Sequence, residues 1–311
     1  MPSGALDNSN GDSTMRSKIL TNGNEQKITV NRIREMKKNK EKVAMVTAYD
    51  YFSALICDRA GVDGVLVGDS AAMVMLGYPN TAAIGMREML VFCGAVTRAV
   101  KRALIIGDLP FGSYQCSVTD AVYNSVLFIK AGCNAVKIEG GTAVVPLIRS
   151  IVAAGIPVMG HIGFTPQTAS LWNNNRLHGK TEKSALKLLE QARELEEAGA
   201  FSIVLEMVTD EVATLISENL SIPTIGIGSG LNCDGQVLVS HDLLGLQQGA
   251  QFKFVKRYAH LSETIFDAVS LFRKDVKEKK FPQDSNSFHM DKNELGKLLR
   301  KLEKQGNLQN E

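Results

Sequence analysis

Lys130-Ala131-Gly132 closes one amphipathic stretch, and Ala135-Val136-Lys137-Ile138-Glu139-Gly140-Gly141 follows almost at once. The second run alternates apolar and charged residues with a period of two, the pattern of a strand. Lys137 and Glu139 therefore fall on the same side of it. Two opposite charges on one side of an otherwise apolar strand are costly to bury without a partner. The two glycines after them free the backbone for a tight turn or for close approach to a ligand.

The same join of helix end, glycine and strand recurs at Arg59-Ala60-Gly61, Ala153-Ala154-Gly155 and Glu197-Ala198-Gly199. Glycine just past a helix is the expected stop, because it takes the left-handed conformation without strain. Strands are predicted at Val43–Ala48, Gly64–Gly68, Leu104–Gly107, Ala135–Ile138, Pro157–His161, Ser202–Leu205, Pro223–Ile227 and Phe252–Val255. Amphipathic helices are predicted between them, at Phe52–Arg59, Arg87–Val100, Thr119–Lys130, Ala143–Ala153, Glu182–Ala198 and Asp210–Glu218. The strands are nearly continuous apolar runs, as in a parallel sheet covered on both faces. Eight strands alternating with helices point to one closed (β/α)8 TIM barrel, with an open doubly wound sheet as the alternative. Gly226-Ile227-Gly228-Ser229-Gly230 lacks the G-x-G-x-x-G spacing of a dinucleotide site.

The ends of the chain read differently. The first 25 residues are polar and contain Asp7, Asp12 and Glu25, so they suit a disordered tail and not a targeting peptide. Leu261–Val276 reads as the eighth helix. Asn293–Gln305 places Leu295, Leu298, Leu299 and Leu302 at helical spacing opposite basic residues. That helix either lies on the barrel or makes a subunit contact.

Composition excludes several classes. Of 311 residues, 44% are hydrophobic and 22% charged, an ordinary globular balance. A net charge of +2 and 6% aromatic content provide no field or stacking surface for nucleic acid. No apolar run reaches the roughly 18 residues of a membrane span. Cys57, Cys93, Cys116, Cys133 and Cys233 are far apart and form no C-x-x-C pair, which suits reduced thiols in a cytoplasmic protein.

In a (β/α)8 barrel, catalytic side chains stand at the C-terminal ends of the strands. Here those ends carry Asp50, then Asp69 and Ser70, Asp108, Lys137 and Glu139, His161, and Glu206. Asp50 is as well explained as a cap of the following helix. Converging carboxylates repel one another unless a cation lies between them. Asp69, Asp108 and Glu139 supply three hard oxygen ligands, the donor type of magnesium. His161 is either a fourth ligand or a hydrogen-bond partner of the substrate. Lys137 offsets part of the acid and could grip a substrate carboxylate. Glu206 suits a general base, since a partly dry pocket can raise a carboxyl pKa toward neutrality. These features describe a metal-dependent enzyme acting on a small oxyacid. Enolate chemistry is the natural expectation, because a metal holding a 2-oxo acid acidifies the adjacent carbon.

Seven motifs together resemble the ketopantoate hydroxymethyltransferase family. They are Val46-Thr47-Ala48-Tyr49-Asp50, Val67-Gly68-Asp69-Ser70, Asp108-Leu109-Pro110-Phe111-Gly112-Ser113-Tyr114, Val136–Gly141, Gly160–Gln167, Ile222–Gly230 and Cys233–Val239. The resemblance runs from about Lys27 to Phe288. It implies a barrel of the phosphoenolpyruvate/pyruvate-binding type at 27–288, between a tail at 1–26 and another at 289–311 that carries the short amphipathic helix. It also implies magnesium, and 5,10-methylenetetrahydrofolate as one-carbon donor. The acceptor would be 3-methyl-2-oxobutanoate and the product 2-dehydropantoate, formed through a magnesium-stabilised enolate in pantothenate and coenzyme A biosynthesis. Carried onto this chain, the family's metal positions are Asp69, Asp108 and Glu139. Its keto-acid positions are Asp69, Ser70, Asp108 and Lys137, its proton acceptor is Glu206, and His161 matches a pocket histidine. The family implies a homo-oligomer, commonly a decamer, with small-molecule substrates and neither nucleic acid nor membrane as partner. Two stretches depart from its pattern: Ala82-Ala83-Ile84-Gly85 and Trp172-Asn173-Asn174-Asn175. Both bear on loop shape and folate contacts. A phosphoenolpyruvate mutase or isocitrate lyase type carbon–carbon lyase and a non-catalytic barrel relative are the alternatives.

Overall fold

The computed structural model describes residues 26–169, 177–247 and 252–306. Eight parallel strands close into a barrel in chain order: β1 Val43–Thr47, β2 Gly64–Val67, β3 Leu104–Asp108, β4 Ala135–Glu139, β5 Val158–Gly163, β6 Ser202–Glu206, β7 Thr224–Ile227 and β8 Gly235–Leu238. β8 pairs with β1 and leaves no open edge. The predicted helices form close to their expected limits: α2 Tyr51–Arg59, α3 Met86–Ala99, α4 Val118–Lys130, α5 Val145–Ala153, α6 Glu182–Glu197 and α7 Asp210–Asn219. Single helical turns at Ala71–Val74, Pro166–Ala169 and Ser240–Leu243 lie in the loops that follow β2, β5 and β8.

Alternation along the strands divides the apolar residues into two cores. Val65, Val136, Ile138, Ile203 and Leu205 face outward and pack under the helices. Met45, Leu66, Leu104, Ile106, Ala135, Met159, Val204 and Ile225 face inward and fill the barrel. An additional helix, α1 Val30–Lys38, contributes Ile33 and Met36 to this inner core at the end where the strands begin. Its Lys37 ammonium bonds the Ser217 carbonyl at 2.7 Å and Asp234 Oδ2 at 2.8 Å, which fixes the plug to the barrel wall.

The eighth strand is not where the sequence pattern put it. Phe252–Val255 is irregular chain, and β8 is Gly235–Leu238. Two features hid it. No helix separates it from β7, only the loop 228–234. It also opens with Gly235, where a Cβ would lie 2.5 Å from the Val43 carbonyl oxygen, so glycine is required by close approach of the neighbouring strand.

The chain forms two compact units, one up to Ala259 and one from His260. The boundary expected at residue 288 therefore falls inside the second unit. That unit holds α8 Leu261–Lys277, the helix predicted to complete the barrel, and α9 Lys292–Gly306, the predicted C-terminal amphipathic helix. Within it Phe272 and Phe281 meet edge to face at 5.5 Å between centroids. All five cysteines are free thiols. Among the described residues no helix is long and apolar enough to cross a membrane. The 1–25 stretch and Trp172–Asn175 lie outside the described residues.

Candidate active site

Register sets the neighbours at the C-terminal end of the barrel. Asp108 lies beside Lys137, Glu139 beside His161, and Gly163 beside Glu206. Asp69, Ser70, Asp108, Lys137, Glu139, His161 and Glu206 all line one cavity of about 100 Å³. Every predicted site residue is thus in one place, although Asp69 and Glu206 are far apart in sequence. Thr47 and Thr81 line the same cavity and were not singled out in the sequence. Asp50 is not part of it: Oδ1 caps α2, accepting from the backbone N–H of Phe52 and of Ser53 at 2.9 Å each.

The two glycines after β4 make the turn possible. Gly140 has φ +134° and donates its N–H to the His161 carbonyl at 3.0 Å. At Gly141 a Cβ would meet the end of the flexible Gln191 side chain, so the requirement for glycine rests on Gly140. Glu139 is left at the rim of the strand with its side chain inward.

The centre of the cavity is ionic and buried. The Lys137 ammonium donates to both Asp108 oxygens, at 2.7 and 2.8 Å, and lies 3.5 Å from Glu139 Oε1. Burial disfavours its charge, but Asp108, Glu139 and Asp69 hold it more firmly protonated than an ordinary lysine. Burial opposes ionisation of Glu139 too, and Lys137 and His161 outweigh it, so its pKa falls below the usual carboxylate range. Asp69 goes the other way: burial, then the charges of Asp108 and Glu139, raise its pKa strongly. Burial also raises that of Asp108, and Lys137 offsets part of the effect. His161 stands between two acids, with Nδ1 3.2 Å from Glu139 Oε1 and Nε2 3.3 Å from Glu206 Oε2. Both contacts are ion pairs whose directions fall outside hydrogen-bond geometry. Burial and Lys137 work against the imidazolium, but the two carboxylates push the His161 pKa up to about 9.

The acids suit a hard divalent cation in chemistry but do not form a ready cage. Among the described residues no group of three or more His, Cys, Asp or Glu side chains is arranged to hold an ion. The reason is visible: the Lys137 ammonium occupies the space between Asp108 and Glu139. Asp69 Oδ2, however, is buried with no hydrogen-bond partner, an unmet acceptor pointing to something the protein alone does not supply. Magnesium commonly takes one or two carboxylates and completes its shell with water and substrate oxygens, so Asp69 with its unpartnered oxygen, and Asp108 and Glu139 in the same cavity, fit it in donor chemistry.

A supporting layer escaped the sequence reading. Gln167 donates its backbone N–H to Glu139 Oε2 at 3.2 Å and its side-chain N–H to the Leu109 carbonyl at 2.9 Å. The Tyr114 hydroxyl lies 2.6 Å from Gln167 Oε1 and 3.1 Å from the Glu139 carbonyl oxygen. Gln167 thereby joins the ends of β3, β4 and β5 and holds the Glu139 carboxylate in place. The Tyr49 and Ser70 hydroxyls lie 2.8 Å apart and orient the serine at the cavity edge. Gln167, Tyr114 and Tyr49 were visible only as letters within motifs, because nothing in local spacing marks a side chain that bonds across strands.

The sequence profile described as ketopantoate hydroxymethyltransferase matches residues 27–284. A protein of Nitrosopumilus maritimus named 3-methyl-2-oxobutanoate hydroxymethyltransferase is 53% identical over 274 residues, covering 88% of this chain and 98% of its own. One of the same name from Thermotoga neapolitana is 53% identical over 261 residues, covering 84% and 96%. Among solved structures, phosphonopyruvate hydrolase complexed with oxalate and Mg++ matches with a TM-score of 0.56 at 13% identity, covering 89% of this chain and 97% of that one. Phosphoenolpyruvate phosphomutase from Streptomyces platensis subsp. rosaceus matches at 0.56 and 15% identity, covering 91% and 99%. At these identities the structures establish the shared barrel and nothing finer.

Proposed function

The chain belongs to the ketopantoate hydroxymethyltransferase family, and we propose that it adds a hydroxymethyl group to C3 of 3-methyl-2-oxobutanoate, giving 2-dehydropantoate. The one-carbon donor is 5,10-methylenetetrahydrofolate. A C3–H bond breaks, C3 bonds to the methylene carbon, water supplies the hydroxyl, and tetrahydrofolate leaves. The observation that carries this reading is the convergence of Glu206 with Asp69, Ser70, Asp108, Lys137, Glu139 and His161 on one small cavity.

Each side chain has a task there. Asp69, Asp108 and Glu139 would hold Mg2+, one ion per subunit. Such an ion would supply Lewis acidity that makes the C3 proton of a 2-oxo acid easier to remove. Lys137 and the Ser70 hydroxyl bind the carboxylate end, with Asp69 and Asp108 beside them. Glu206 removes the C3 proton. It is the most open of the acids, its side chain 16% exposed against 2% for Asp108 and Glu139, and so it can meet a substrate entering from the rim. His161 spans Glu139 and Glu206 and keeps the ion-binding side and the proton-accepting side in fixed relation.

Deuterium exchange at C3 of the keto acid tests the assignment. Glu206→Gln should slow exchange by about 10² to 10⁴-fold while keto-acid binding persists. Unchanged exchange would remove Glu206 as the base. Folate-independent cleavage of a hydroxy dicarboxylate would instead favour the lyase chemistry of barrels with this fold. We also infer a cytoplasmic homo-oligomer, which a monomer mass by light scattering would contradict.

A further inference from the structure

Three hydroxyl side chains line the cavity at the strand ends: Thr47, Ser70 and Thr81. Two of them are engaged. The Ser240 N–H donates to Thr47 Oγ1 at 2.9 Å, and the Ser70 hydroxyl lies 2.8 Å from that of Tyr49. Thr81 is only 4% exposed, and its Oγ1 has no hydrogen-bond partner. A hydroxyl taken out of water without a partner costs free energy, so such groups are few in folded proteins. Among the described residues, Asp69 Oδ2 is the one other side-chain oxygen of this cavity left in that state, and the two do not satisfy each other.

Thr81 is held in this position by its surroundings. Asn80 Oδ1 accepts from the Ala82 N–H at 3.1 Å and opens a single 3-10 turn at Thr81–Ala83. Ile84 is buried in the outer core, and the Gly85 N–H donates to Glu88 Oε2 at 3.2 Å where α3 begins. The turn itself packs against the helical turns Ala71–Val74 and Pro166–Ala169. A β-branched side chain on so anchored a backbone has few rotamers to choose from. The hydroxyl therefore stays at the cavity wall and does not swing out to solvent.

The cavity is divided by chemistry. Val204, Ile227, Val237 and Val239, on β6, β7 and β8 and just beyond, give it an apolar side. Across the barrel, Ser70 and Thr81 from the loop after β2 stand with Asp108, Lys137 and Glu139 of β3 and β4. A branched 2-oxo acid has an alkyl end and an oxygen end, and it matches these two sides in one orientation. Thr81 then faces the oxygen end, in the same loop as Ser70. Resting on the keto acid named above, we propose that Thr81 is a further substrate-contacting residue, its hydroxyl donating a hydrogen bond to the carboxylate of the 2-oxo acid. A hydroxyl on a carboxylate forms a charge-assisted bond, which is stronger than a neutral one. The same contact relieves the unmet hydroxyl, so binding gains what folding left unsatisfied.

The test is calorimetry of 3-methyl-2-oxobutanoate binding to the full chain with Mg2+ present, paired with denaturant unfolding in the absence of the keto acid. Thr81→Val keeps the side chain's shape and removes its hydroxyl. It should raise the keto-acid Kd by about tenfold, the scale of one hydrogen bond to a charged group. Its unfolding midpoint should stay at or above that of the wild type, because a buried hydroxyl without a partner has been removed. Thr81→Ser keeps the hydroxyl and should recover the wild-type Kd. A wild-type Kd in Thr81→Val would overturn the contact while leaving the keto-acid reading intact. A Kd raised equally in both variants, with a lowered unfolding midpoint, would also overturn it, since that is the mark of a packing role. If the wild type itself binds no keto acid, the keto-acid reading fails and the contact with it.

Discussion

The lower and upper halves of the barrel interior are made by the same strands and share the same alternation, yet they differ in almost every physical respect. β3 places Leu104 and Ile106 inward below and Asp108 above, and β4 places Ala135 below, then Lys137 and Glu139. The lower half is apolar and plugged by Ile33 and Met36 of α1. The upper half packs acids against Lys137 and His161 and leaves Asp69 Oδ2 unsatisfied. Apolar burial stabilises, whereas buried charge costs free energy unless it is paired. The lower half therefore holds the barrel together, and the upper half is retained at a cost that chemistry explains.

That contrast can be broken experimentally. The largest effect belongs below: Leu104→Ala, in the filled part of the barrel, should cost about 2–5 kcal/mol in denaturant unfolding. C3 exchange per folded molecule should stay near wild type. A large loss of exchange in the folded variant would mean that the two halves are not separable. Next is pH. The folded His161 pKa of about 9 lies above its ordinary value near 6.5, so the stability from its pairing is complete below pH 6.5 and is lost as pH rises through 9. In metal-free protein that loss is on the order of 3 kcal/mol, at about 1.4 kcal/mol per unit. His161→Gln should flatten the curve in that window, and a slope that persists would belong to other groups. Smallest is Asp50→Ala. This strand-end acid sits outside the site and only caps α2, so its loss should cost about 1 kcal/mol and leave C3 exchange unchanged. Lost exchange at full stability would return Asp50 to the site.

Much of this was legible in the chain. The strand Ala135–Glu139 and its two inward charges follow from alternation alone, and the helix-ending glycines fix the rhythm of the barrel. Strand-end acids could be collected into one site because a closed parallel barrel brings all its C-terminal strand ends together. β8 was misplaced, since Gly235 and the exposed Gln236 carry little strand signal and a helix was expected before them. Gln167 and Tyr114 were not recognised as supports of Glu139, because their bonds reach across strands.

The sequence by itself determined which residues turn inward, where most helices stop, and which chemical groups stand at the strand ends. Those are local properties, set by periods of 2 and 3.6 and by backbone freedom at glycine. Only the tertiary structure decided that the Lys137 ammonium lies between Asp108 and Glu139, that His161 spans two acids, and that Asp69 keeps an oxygen without a partner. Those contacts depend on the register of neighbouring strands and on barrel closure. At such distances a charge responds to whichever groups stand within a few ångströms, however far apart they are in the chain.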